Sequence, residues 1–180
     1  FGGTKHWITA YPFLALAAAV GFHGLWTAAG RWGPAWVRGV SIVLVLGPAA
    51  LATADGHPFG LSQYAPLVGG PRGAAELGLN RGFWGHAVVP LLPEVERAAG
   101  PRGPVYFHDL HALALRQYVR EGRFRADIQW GGPRNSRAGL LFHELHMASD
   151  EIELWNGLGT AAPSAISTLD DVPLTSLYEK

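Results

Sequence analysis

The sequence predicts an α/β protein whose small, partly parallel sheet follows two transmembrane helices, and three observations predict it. No Asp, Glu, Lys or Arg occurs between His6 and Gly30, and residues 39–54 are all apolar or small. All 14 acidic side chains lie beyond Ala54. From there on, short β-rich runs alternate with helical patterns, the signature of an open α/β sheet.

A mean hydropathy of +0.11 with 16% charged residues is greasy for a soluble chain of this length. The average hides a partition. Of the 14 basic side chains only Lys5, Arg31 and Arg38 precede Asp55, so residues 1–54 carry about +3. The remaining 11 basic and 14 acidic side chains give residues 55–180 about −3. This balance excludes a strongly basic nucleic-acid binder, because the downstream arginines are interleaved with carboxylates. The absence of cysteine excludes a disulfide framework, a thiolate zinc site and a cysteine nucleophile.

The first span covers about residues 12–29, long enough at about 1.5 Å per residue to reach across most of a hydrocarbon core of about 30 Å. The second covers about 36–54, an apolar run over 39–54 that is short unless Ala35 to Val37 extend it. The link RWGPAWVR is short, so the two spans form a helical hairpin. A core hairpin of a soluble protein has similar run lengths, but Trp7, Tyr11, Trp26, Trp32 and Trp36 gather near the proposed ends as an interfacial belt does. His23 is the one ionisable group inside a span: either a functional group or a neutral histidine bonded to a neighbouring helix.

Arg31 and Arg38 place the short loop in the cytoplasm. Residues 1–11 and 55–180 are then extracytoplasmic, periplasmic in a Gram-negative cell, and the protein is multi-pass in the inner (plasma) membrane. The opening FGGTKHW has no initiator Met and no signal-peptide pattern. The expectation is therefore the carboxyl-terminal piece of a longer membrane protein, with a missing N-terminal transmembrane bundle as partner to these spans.

Residues 55–73, rich in Gly and Pro with aromatic residues between, predict an ordered loop. Helices are expected at about 74–79 and 83–98, the second interrupted by Pro90 and Pro93. A turn cluster leads into a strand at 105–108, and Asp109 is positioned to cap a helix over 110–121 that Gly122 ends. Residues 124–130 and 139–143 read as strands and 149–157 as a helix. Residues 165–169 and 172–178, joined through Asp170 and Asp171, read as a terminal hairpin.

Three constellations could carry chemistry. His143-Glu144-Leu145-His146 looks like a zincin helix until the spacing is counted, since metalloprotease histidines stand four apart and these stand three apart. His108-Asp109-Leu110-His111 falls at the end of a predicted strand, where open α/β sheets bind ligands. A helix cap with flanking histidines satisfies the same pattern. Gly2-Gly3-Thr4-Lys5-His6-Trp7, just outside the first span, suits a lipid phosphate, which needs positive charge and backbone donors; interfacial anchoring needs only the Lys and the Trp. Gly69-Gly70-Pro71-Arg72-Gly73 is no phosphate loop, as it follows no predicted strand and lacks the Gly-Lys-Ser/Thr ending.

The segments FGGTKHWITAYPFLALAAA, DGHPFGLSQYAPLVGGPRGAAELGLNRGFWGHAVVPLLP, FHELHM and TLDDVPLTSLYEK together resemble the carboxyl-terminal part of bacterial GT-C-type membrane glycosyltransferases. The group most similar is the protein O-mannosyltransferase-like, or dolichyl-phosphate-mannose-protein mannosyltransferase-like, branch. The resemblance implies a multi-span hexosyltransferase that takes a sugar from a polyprenyl-phosphate-linked donor and passes it to an acceptor on the outer face. It implies a catalytic acidic residue in a first outer loop that this chain does not include, with a divalent metal in the intact enzyme as a further expectation. No catalytic residue is therefore assigned here, and Lys5 and His6 are the expected contacts to the carrier phosphate. A noncatalytic, membrane-anchored periplasmic binding module is the alternative from another class.

The charge asymmetry makes a topology prediction. Alkaline phosphatase fused after Lys180 is expected to be active in a bacterial cell, whereas the same enzyme fused within residues 31–38 is expected to be inactive. The reverse pattern would overturn the orientation.

Overall fold

A computed structural model describes residues 9–144 and 147–180, which fall into two units, one ending at Asp55 and one beginning at Gly56. In the first unit, α1 (Tyr11–Trp32) and α2 (Trp36–Gly56) are 22 and 21 residues long. Both are long and apolar enough to cross a membrane, and none of their apolar length is buried. Pro12 sits in the first turn of α1, where its missing N–H costs nothing. Arg38 reaches back to place its guanidinium 5.6 Å from the Trp26 ring centroid.

The hydroxyls within these helices turn inward. Thr27 donates to the carbonyls of His23 and Gly24, Ser41 to that of Arg38 and Thr53 to that of Ala49, at 2.8–3.0 Å. Hydroxyls satisfied by their own helix need no water, which is the condition for placing them in hydrocarbon. Tyr11 and Trp36 open the two helices with exposed rings; Trp7 lies outside the described residues.

The second unit begins with short turns of 3-10 helix at Gly60–Ser62 and Pro66–Val68, then α3 (Gly70–Glu76). The helix expected at 74–79 starts earlier because Pro71 fits a first helical turn, and it ends where Gly78 adopts φ 73°. The interrupted helix expected at 83–98 resolves into a 3-10 segment, His86–Leu91, and α4 (Leu92–Ala99), the break falling between the two prolines.

The rest is β1 (Pro104–Phe107), α5 (Ala112–Arg120), β2 (Gln129–Trp130), β3 (Ala138–Phe142), α6 (Ala148–Leu158), β4 (Ala165–Leu169) and β5 (Val172–Glu179). The sheet runs in the order β2-β1-β3-β5-β4. β1 is parallel to both β2 and β3, and β5 is antiparallel to β3 and β4. The α/β class with a partly parallel sheet is thus the observed one.

Two expectations are corrected. Residues 124–130 do not form one strand: Arg125 and Asp127 close a turn with an ion pair at 2.7 Å, and the Arg125 N–H goes to Glu96 Oε1 at 2.6 Å rather than to a neighbouring strand. Only Gln129 and Trp130 pair with β1. Asp109 does not cap α5 either, because it takes a left-handed φ of 48° two residues before the cap. His111 caps instead, its Nδ1 accepting the Leu113 N–H at 3.2 Å.

The sheet is covered on both faces. On one, Val105, Phe107, Ala138, Leu140, Phe142 and Leu177 pack against Leu92 and Val95 of α4 and Leu115 of α5. On the other, Leu141 and Tyr178 pack against Leu154 and Leu158 of α6. The period of two along β3 sends Leu140 one way and Leu141 the other. Gly139 shares the α6 face, and a Cβ added there would run into the side chain of Leu154, which is fully buried and cannot move aside.

That close approach is testable. Gly139→Ala is expected to destabilise the fold by about 1–3 kcal/mol through overpacking. The measurement is the denaturation midpoint of the chain in detergent, followed by near-ultraviolet circular dichroism; an unchanged midpoint would contradict the packing.

Candidate functional site

The strand order reverses between β1 and β3. From β1 the chain leaves through α5 to β2 on one side, and from β3 it leaves through α6 to β4 and β5 on the other. Such a switch point opens a crevice at the carboxyl ends of the two strands, where open α/β sheets seat ligands. The residues placed there are His108 and Asp109 after β1, and His143 and Glu144 after β3.

His108 is 3% exposed. Its Nδ1 accepts the Phe142 N–H at 3.4 Å, which leaves Nε2 as the protonated nitrogen of the neutral ring, facing Asp150 Oδ2 at 3.2 Å. The ring also stacks on Phe142, with centroids 6.2 Å apart. Asp150 and Glu151 lie in the first turn of α6, where the helix dipole favours negative charge. His108 thereby ties the ends of β1 and β3 to the start of α6.

His143 makes a separate pair. Its Nε2 lies 2.7 Å from Ser176 Oγ, and the Tyr178 hydroxyl donates to Glu151 at 3.2 Å. Serine, histidine and carboxylate near one another are the parts of an acyl-transfer triad. Here Ser176 is 2% exposed inside β5, so no substrate carbonyl can reach its oxygen. His111 is turned toward the α5 backbone and joins neither pair. The crevice therefore does not gather His108, His111 and His143 into a hydrolytic centre.

The crevice is also filled. Residues Gly82, Phe83, Gly85, His86 and Ala87 cover His143, Glu144, Phe142 and Leu174 and leave a cavity of about 10 Å³, no larger than one water requires. Gly85, at φ 64°, lets this cover close, since a Cβ there would lie 2.8 Å from the Phe142 ring. His86 holds the cover through the Phe83 carbonyl at 3.0 Å and Ser62 Oγ at 3.4 Å.

Among the described residues no group of three or more His, Asp and Glu side chains could hold a metal ion. His143 follows a strand rather than standing on a helix. His146, with Lys5, His6 and the rest of the GGTKHW segment, lies outside the described residues. His23 is exposed on α1.

Sequence reasoning missed one grouping. The arginines at 116, 120 and 125 read as interleaved with acids, yet they border one open concavity whose lining contains no acid. The i, i+4 spacing of Arg116 and Arg120 on a helix was the available signal.

No family model matches the chain, and neither a curated protein nor a solved structure does.

Burial pushes the His143 imidazole below its ordinary value, with Arg81 acting the same way and Glu151 opposing. Because the folded value is the lower, the unfolded chain takes up this proton first as pH falls. The group leaves stability unchanged above about pH 6.5 and removes it on acidification toward the folded value. His143→Gln is expected to lessen the loss of unfolding midpoint between about pH 7.5 and about pH 5.5. Equal losses in the two proteins would refute a protonation-linked role.

Proposed function

We propose that the chain is the carboxyl-terminal part of an integral membrane glycosyltransferase that moves a sugar from a polyprenyl-phosphate carrier to an acceptor on the outer face of the membrane. The observation that carries this reading is the pair of long apolar helices, with none of their apolar length buried, joined to an α/β unit with its own core. Apolar helices none of whose length is buried need lipid or further spans to cover them. A multi-span enzyme of the GT-C type supplies both, and the segments quoted above supply the resemblance.

In the reaction, an acceptor hydroxyl attacks the anomeric carbon of the carrier-linked sugar. The bond from that carbon to the phosphate oxygen breaks, its electron pair leaves with the carrier phosphate, and the hydroxyl proton passes to a base. The base is an acidic residue of the first outer loop in the intact protein. The role of Lys5, with His6 beside it, is to neutralise the negative charge growing on the departing phosphate. A cation placed where charge develops lowers the barrier more than one placed for ground-state binding.

The filled crevice in the second unit favours one other reading, a noncatalytic binding module anchored in the membrane. The two separate on one experiment with the intact protein in membranes and a labelled polyprenyl-phosphate hexose. Transfer of label and release of polyprenyl phosphate are expected, with Lys5→Ala reducing the rate about 10²-fold and Lys5→Arg retaining most of it. Absence of transfer from any polyprenyl-phosphate sugar would leave the anchored module as the account.

A further inference from the structure

An open concavity of about 500 Å³ lies between α5, the 124–126 segment and β2. Its floor is apolar, formed by the buried side chains of Leu115, Phe124 and Ile128. At one end stands Trp130, half-exposed at the sheet edge, its ring braced by Phe107 with centroids 5.5 Å apart. Arg116, Arg120 and Arg125 line the rest.

The charge there is unbalanced. Arg125 is satisfied: it grips both oxygens of Asp127 at 3.0 and 2.7 Å and reaches the Gly100 carbonyl at 3.3 Å. The nearby Glu121 is shared between Gln117 and Arg123, and Glu96 is taken by the Arg125 N–H. Arg116 and Arg120 have no ion pair or hydrogen bond among the described residues, in a unit that carries more acidic than basic side chains. Like charges four residues apart on a helix repel, and a bound anion relieves that repulsion.

We propose that this cavity binds an anionic sugar, a hexose bearing a carboxylate or phosphate, with the anion between Arg116 and Arg120 and the sugar ring on the face of Trp130. Guanidinium groups match the paired oxygens of both anions. An indole held at a fixed angle offers a flat apolar surface to the C–H face of a pyranose. The volume suits one or two sugar rings. That the ligand is a sugar deepens the glycosyltransferase reading and rests on it, since an anionic acceptor glycan is what such a site would hold. That it is an anion with a flat apolar face rests on the cavity alone.

The test is titration of the full chain in detergent at about 0.15 M salt. The probes are methyl glucuronoside, glucose 6-phosphate, methyl glucoside and inorganic phosphate. The two anionic sugars are expected to bind at least about tenfold more tightly than methyl glucoside or phosphate. The double variant Arg116→Gln/Arg120→Gln is expected to weaken both about tenfold, and Trp130→Ala to weaken both while leaving phosphate unchanged. Unaltered thermal unfolding of the variants establishes that they fold. Anionic sugars that fail to bind, or bind the double variant as tightly, would overturn the site, as would phosphate binding as tightly as glucose 6-phosphate. Sugar binding without carrier-dependent transfer would leave the cavity assignment standing and remove the glycosyltransferase reading; transfer without sugar binding would do the opposite.

Discussion

Everything in the second unit depends on keeping one strand dry. All five residues of β3 are buried, and none offers a polar side chain. Its backbone groups must then be satisfied by neighbours on both sides, and β1 and β5 supply them, one parallel and one antiparallel. Two antiparallel neighbours can be joined by a tight turn, but a parallel one needs a crossover, which is why α5 stands between β1 and its parallel neighbour β2. Leu140 and Leu141 then each require a covering layer, and α4 with α5 on one face and α6 on the other provide them.

The same constraint explains why the switch-point crevice is closed. Phe142 at the end of β3 is a large apolar side chain where a ligand would sit, and the segment around Gly85 covers it. The histidines on either side become connectors. His108 joins two strand ends to α6 and His143 joins β3 to β5, each through a short polar contact in an otherwise apolar setting. A polar pair in such a place fixes which strand end meets which helix, because a mismatched partner would leave a buried group unsatisfied.

Much of this was legible in the sequence, and the exceptions have physical causes. The two long helices follow from uninterrupted apolar length, which is insensitive to the rest of the chain. The terminal hairpin was legible because Asp170 and Asp171 are among the few residues that tolerate the left-handed conformations they adopt, φ 50° and 61°. The 124–130 segment misled because Phe124 and Ile128 are apolar for burial in the α5 face of the core rather than for strand pairing. Asp109 misled because His111 competes for the same capping role, and only the tertiary path of the chain decides between them. The arginine-lined concavity was hidden because the acids beside it in sequence are taken up in space, Glu121 by Gln117 and Arg123 and Asp127 by Arg125, so none faces Arg116 and Arg120. Lys5 and His6 rest on the resemblance and on the charge of the GGTKHW segment, and lie outside the described residues.

The two edge strands bear on how the protein behaves when crowded. A sheet edge presents unpaired backbone groups that invite a second molecule to add a strand and begin an aggregate. β2 limits the invitation by brevity, since two residues are followed at once by Gly131, Gly132 and Pro133. β4 limits it by shape, because the register shift between Ser167 and Thr168 bends the strand out of the flat alignment that stacking needs. With both borders blunted, copies of this unit can meet at high concentration without knitting into fibres.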